Sequence, residues 1–189
     1  MSSTVLYMSM SLDGFIAGPN EGPGNGLGDG GDRLHDWALR SEVTGVDRQV
    51  VDEMMSTGAI VCGRGTYEPA NGWGGDHHDE VPVFVLTRRP DAQQPQWPNV
   101  THVADVERAM GQAKQAAGDK DVLVHGAGTA QLALAAGVLD EIQIHLIPVL
   151  LGEGRPLFEH LGTGQRELES VRVLEGAGAT HLRYRVRRG

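Results

Sequence analysis

Ala59-Ile60-Val61-Cys62-Gly63-Arg64-Gly65-Thr66 is a continuous apolar run that stops on glycine, arginine, glycine and threonine. Four apolar residues bounded by a glycine turn read as a strand covered on both faces, the pattern of a parallel sheet. The residues after it suit an anion. Glycines let backbone N–H groups approach a phosphate, a helix start adds partial positive charge, and Arg64 supplies a bidentate fork. The bland alternative is a tight strand-to-helix turn with a solvated arginine. A second strand–glycine–threonine junction stands at Val122-Leu123-Val124-His125-Gly126-Ala127-Gly128-Thr129. Two such junctions on one sheet point to a ligand with more than one phosphate, and so to a dinucleotide.

Outward from the first junction, Val81–Leu86 is another apolar strand, and its end at Thr87-Arg88-Arg89 carries a hydroxyl and two cations. Beside Arg64 these would clasp a phosphate on a ribose, favouring NADP over NAD. Upstream, Thr44 is the expected N-cap of a helix whose apolar face is Val46, Val50, Val51, Met54 and Met55. Asp47, three residues after the cap, comes close to a capping box, and Gly58 is expected to close the helix. Thr4–Met10 reads as the first strand and runs through Ser11–Gly18 into residues 18–32, which hold seven glycines. A loop this long inside a compact domain is usually functional.

Downstream, Asp105 caps a helix with the stripe Val106, Ala109, Met110, Ala113 and Ala117, ended by Gly118. Val122–Val124 and Thr129–Ala136 give another strand–helix pair. Three strands then follow without helices between them: Glu141–Leu151, Arg166–Leu174 and His181–Arg187. Alternation followed by an antiparallel end predicts one α/β domain over residues 1–189. The expected sheet is mixed and mostly parallel, flanked by helices.

At 189 residues with 40% apolar content, the chain can bury a full core. A net charge of −9 argues against a nucleic acid or an anionic membrane as partner. No apolar stretch reaches the ~18 residues of a membrane span. The single cysteine, Cys62, fits a reducing compartment, and the expectation is a cytoplasmic protein.

Other patterns carry less. Gly126-Ala127-Gly128 begins like a dinucleotide fingerprint, but Gln131 stands where a third small residue is required, which disfavours a Rossmann domain. His77-His78-Asp79-Glu80 has a metal site's composition but not its geometry, since four adjacent residues cannot converge on one ion. It reads as an exposed loop, and no metal is expected. Cys62 reads as a buried strand residue rather than a nucleophile. Asp13 is either a carboxylate beside the ligand or the cap of its own turn.

Taken in order, Ser11–Ala17, Gly63–Glu68, Leu86-Thr87-Arg88, Gly126-Ala127-Gly128, Gly137–Glu141 and Ile147–Phe158 resemble the dihydrofolate reductase-like superfamily. The closer likeness is to the branch of the C-terminal reductase domain of the bifunctional riboflavin biosynthesis enzyme. It covers the chain from about Val5 to Val186. The resemblance implies an NADPH-dependent reductase, similar to dihydrofolate reductase and 5-amino-6-(5-phosphoribosylamino)uracil reductase. Its substrate would be a small heterocycle, and the protein would be a homodimer. It implies that Gly63, Arg64, Thr66, Thr87 and Arg88 hold the phosphates. Gly126, Ala127, Gly128, Thr129 and Ala130 would lie under the nicotinamide half, with Ala17 where the first loop closes over the ring. Asp47 matches the position of the folate enzyme's pterin-binding carboxylate but lacks its aromatic partner, which disfavours folate. Arg33-Leu34-His35-Asp36-Trp37 would build a different substrate wall. Asp13 and Asp47 are the candidates for positioning the substrate or relaying a proton. The competing class is a non-catalytic NADP(H)- or nucleotide-binding sensor.

Overall fold

The computed structural model describes residues 2–22, 24–92, 94–162 and 164–187. The chain order is β1 (Thr4–Ser11), β2 (Phe15–Ala17), α1 (Asp36–Leu39), α2 (Gly45–Met55), β3 (Ala59–Gly63), α3 (Arg64–Tyr67), β4 (Val83–Leu86) and β5 (Val100–Val103). It continues with α4 (Val106–Ala117), β6 (Val122–His125), α5 (Ala127–Ala135), β7 (Glu141–Ile147), β8 (Arg155–Pro156), β9 (Leu168–Glu175) and β10 (Thr180–Val186). Eight strands form one sheet in the order β5-β4-β3-β6-β1-β7-β10-β9. Every pairing from β5 to β7 is parallel, and β10 runs antiparallel to both its neighbours. The expected fold class, α/β with a mostly parallel sheet and an antiparallel C-terminal end, is the observed one.

The continuous apolar runs are explained by burial on both faces. On one face Leu6, Val61, Phe84, Val122, Val124, Ile142 and Ile144 pack with the Ala109–Ala117 stripe of α4 and with Ala130, Ala133 and Leu134 of α5. On the other, Val5, Tyr7, Ile60, Cys62, Val83, Val85 and Leu123 form a second layer. A third cluster, Leu34, Trp37, Val50, Ile147 and Ala179, ties the first loop and α2 to the C-terminal strands.

Several boundaries differ from the sequence reading, each for a local reason. β4 begins at Val83 rather than Val81, and β7 ends at Ile147 rather than Leu151. Pro82 and Pro148 stand at those limits, and proline has no N–H for the ladder. The capping box at Thr44 and Asp47 does not form: Thr44 makes no side-chain cap bond, and Asp47 turns fully inward. Gly58 does not end α2. The hydroxyls of Ser56 and Thr57 bond the carbonyls of Glu53 and Met54 there, while Gly58 packs against Ala117. β5 and the small β2–β8 pair are additions that the sequence pattern does not mark.

Candidate cofactor and substrate cleft

The C-terminal ends of β3, β4 and β6 open into one cleft of about 1010 Å³, closed on its far side by the glycine-rich loop and α1. Crevices beyond the carboxyl ends of parallel strands are where open α/β sheets bind ligands. The size, at the upper end for ligand pockets, leaves room for more than one small ligand.

At one end the two strand–glycine–threonine junctions meet. Gly126 has φ +89, and a Cβ there would fall 2.3 Å from the Thr66 Oγ1. A Cβ at Gly63 would lie 3.4 Å from the Thr129 Oγ1. At Gly126 only a residue without a side chain allows this approach. The Thr129 hydroxyl is buried without a hydrogen-bond partner in the protein, at the first turn of α5, where backbone N–H groups are unpaired. An orphaned buried hydroxyl beside free amides is a donor set awaiting an acceptor, and it fits a nucleotide phosphate.

Of the residues expected at the site, Ala17, Gly63, Thr66, Thr87, Arg88, Gly126, Ala127, Gly128 and Thr129 all line this cleft. Four others do not. Arg64 is exposed, and its Nε donates to Glu68 Oε1 at 2.6 Å along α3. Ala130 is fully buried in the core behind α5. Asp13 lies outside, where its carboxylate accepts the Leu151 and Gly152 amides and is held below the usual range chiefly by Ser11 and also by these bonds. Asp47 is sealed inside, bonded by Arg40 and by His181 Nε2.

The opposite end is built from residues the sequence did not assign to the site, apart from the segment 33–37, which contributes His35 and Trp37. His77, His125 and His145 also line it, with Tyr7, Ser9, Met54 and Trp73. His77-His78 is therefore not an exposed loop: His78 is 7% exposed and bonds Thr57, and its Nδ1 lies 2.7 Å from His77 Nδ1. Trp73 stands edge-on to His77 at 4.8 Å. Burial, reinforced by neighbouring imidazoles, pushes His77 down to about 4 and His125 down to about 3. Burial likewise lowers His35, and burial with His181 lowers His145. The wall is therefore a set of uncharged imidazoles at neutral pH. Beside the first junction, where a Cβ at Gly65 would lie 3.3 Å from its Nη1, Arg155 adds a second cleft cation, paired with Glu21 at 2.7 Å. Nothing in a one-dimensional pattern links residues 35, 77, 125, 145 and 155. Among the described residues, no three His, Cys, Asp or Glu side chains are grouped to hold a metal.

A model of the RibD C-terminal domain matches residues 3–182. The chain belongs to the RibD C-terminal domain family. It is 31% identical, over 96% of both chains, to the uncharacterised protein YwjB of Bacillus subtilis strain 168. Among solved structures, this family member is similar to a protein of Shewanella sp. PV-4 described as a candidate riboflavin biosynthesis protein. The TM-score is 0.75 at 24% identity, covering 98% of this chain and 99% of that one. It is also similar to the dihydrofolate reductase of Enterococcus faecalis, solved with NADP(H), with a TM-score of 0.60 at 15% identity over 98% and 97% of the two chains. These likenesses establish a dihydrofolate reductase-like fold for the RibD C-terminal domain seen here. No helix among the described residues is long and apolar enough to cross a membrane.

Proposed function

We propose that this protein is an NADPH-dependent reductase acting on a C=N or C=O bond of a small pteridine- or pyrimidine-like heterocycle. The observation that carries the reading is the meeting of the two junctions around the unpartnered Thr129 hydroxyl, at one end of a cleft with room for a second ligand. When bound, NADPH supplies hydride chemistry that no side chain can. The protein would hold its phosphates with the amides of Ala127–Thr129, the hydroxyls of Thr66, Thr87 and Thr129, and the Arg88 guanidinium, with Ala17 at the end of β2 against the ring half. Trp37, Tyr7 and the imidazole wall orient a flat heterocycle and exclude water from it. Asp47 is sealed away from the cleft, which supports a substrate other than folate.

Fluorescence titration with NADPH and NADH, then a heterocycle panel read at 340 nm, tests the proposal. Tighter NADPH binding with oxidation on one panel member is expected. Equal affinity for the two cofactors would overturn the NADPH assignment, and binding without any turnover would favour a nucleotide-responsive sensor.

We further propose a homodimer through the C-terminal strands. β9 is an edge strand whose Val171 and Val173 are 43% and 57% exposed, a surface that natural edges seldom leave uncovered. Val171→Lys with Val173→Lys is expected to yield monomers by light scattering. A wild type that is already monomeric at about 100 µM rules the dimer out.

A further inference from the structure

We propose that Asp47, His181 and His145 form a proton wire ending in the cleft, and that His145 Nε2 exchanges the proton with the substrate. The inference rests on the reductase reading above. Three hydrogen-bonding facts support it. Asp47 on α2 is fully buried, and its Oδ1 lies 3.0 Å from His181 Nε2 on β10. His181 Nδ1 lies 2.9 Å from His145 Nδ1 on β7. His145 is 2% exposed, lines the cleft, and its Nε2 has no partner in the protein.

With both rings neutral, the direction of every bond follows from the carboxylate. An ionised carboxylate only accepts, so a neutral His181 donates from Nε2 and has a bare Nδ1. His145 must then donate from its own Nδ1, which leaves its Nε2 bare. Asp47, two rings away, thus fixes the tautomer of the nitrogen that the cleft meets. In this state Nε2 accepts a hydrogen bond from a substrate N–H or O–H. When a proton from solvent water enters at Nε2 through the cleft, the Nδ1 proton of His145 can pass to His181 and the Nε2 proton of His181 to Asp47, one bond breaking for each that forms. Return of the Nε2 proton to a substrate nitrogen or oxygen reverses the shifts, and the electron pair of reduction arrives with the transferred hydride.

A histidine pair that only filled the core would have both ends of the chain satisfied. Of the three members of the wire, it is His145 that leaves a ring nitrogen, Nε2, buried and unpartnered, and His145 lines the cleft. Trp37 covers both rings, with centroids 4.4 Å from His145 and 4.9 Å from His181, and its Nε1 donates to Ser9 Oγ at 2.9 Å. On the other side the turn between β9 and β10 closes over the pair. A Cβ at Gly176 would fall 1.8 Å from Asp47 Oδ1 and 2.9 Å from His181 Nε2. The groups facing His145 are His181 on β10, Tyr7 on β1, and His35 and His125 on the cleft wall, with Asp47 and Arg40 at the far end. Burial and the imidazoles keep His145 neutral until a ligand shares the proton. His145 is the catalytic residue of this proposal. His181 and Asp47 are positioning residues.

Substituting Asp47→Asn tests the wire without relying on activity. Arg40 can only donate, so the new amide's carbonyl stays with Arg40 and its NH₂ turns to His181 Nε2. Both tautomers must then flip, placing a hydrogen on His145 Nε2. Nitrogen-15 spectra of histidine-labelled full-length protein, without cofactor, are expected to show His145 Nε2 bare in the wild type and protonated in the Asp47→Asn variant. The same His145 tautomer in both overturns the wire. His145→Gln is expected to keep NADPH affinity within about twofold and to lower panel turnover by about 100-fold or more, the usual scale of a lost acid–base group. Its rate should also lose the pH dependence that the wild type shows. Unchanged turnover in a folded His145→Gln variant overturns the catalytic role. Failure of the wild type to bind NADPH overturns the reductase reading alone, because the tautomer measurement stands without it.

Discussion

Arg64 and Arg88 are both cations at strand ends, yet they have different neighbours. The Arg64 guanidinium is committed to Glu68, which is also what raises its pKa, and it does not line the cleft. Arg88 lines it. Arg88→Ala is therefore expected to weaken NADPH binding by about 10–100-fold and to leave NADH almost unchanged, as loss of a charged phosphate contact does. Arg64→Ala should stay within about threefold for both. Isothermal titration of the two variants with both nucleotides checks this, and a larger loss at Arg64 would move the phosphate site. Cys62 is a simpler case. Its thiol is fully buried on β3, and burial alone pushes it up to about 12. Since the thiolate is the reactive form, iodoacetamide at pH 8 should leave the folded protein unmodified and label it only on unfolding. Mass spectrometry reads the difference directly.

At the scale of elements, the cleft depends on two strand-to-helix turns touching. The contact between Gly126, before α5, and Thr66, in α3, makes the junctions energetically dependent. Gly126→Ala is expected to cost about 1–3 kcal/mol, because alanine is strained at φ +89 and its Cβ meets the Thr66 hydroxyl. In a Thr66→Ala background the clash is gone and only the backbone strain remains. A urea double-mutant cycle should therefore give a coupling of about 0.5–3 kcal/mol. Simple additivity would mean that the junctions do not bear on each other. These elements were legible in the sequence because local chemistry marks them: an apolar run, a glycine turn, a helix start. β5 was not. Of Val100-Thr101-His102-Val103 only the two valines are buried, the signature of an edge strand with too little apolar content to stand out. The β2–β8 pair joins residues about 140 positions apart and has no local signal at all.

For the whole molecule, the same contrast separates the two ends of the cleft. The end proposed to hold phosphates is made of contiguous motifs, and its meeting junctions are the ones the sequence marks. The imidazole wall comes from separate parts of the chain, assembled only when β1, β6 and β7 lie side by side. That assembly has a thermodynamic consequence. His77 and His125 are held down to about 4 and about 3 in the folded protein, while in the unfolded chain each titrates near its ordinary value of about 6.5. Above that value both states bind no proton at these rings, and the groups make stability independent of pH. Below it the unfolded chain gains protons that the folded one refuses, so unfolding is favoured as pH falls, by about 1.4 kcal/mol per pH unit for each ring. The loss runs from about pH 6.5 down to about pH 4 for His77 and about pH 3 for His125, and it ceases below those values. Urea midpoints at half-unit steps from about pH 7.5 to about pH 4 should therefore decline steadily below about pH 6.5. His125→Gln removes one of the four depressed imidazoles, His35 and His145 being the other two, and its decline should be shallower by about 1.4 kcal/mol per pH unit. An unchanged slope in that variant would show that carboxylates, rather than the buried imidazoles, govern acid unfolding.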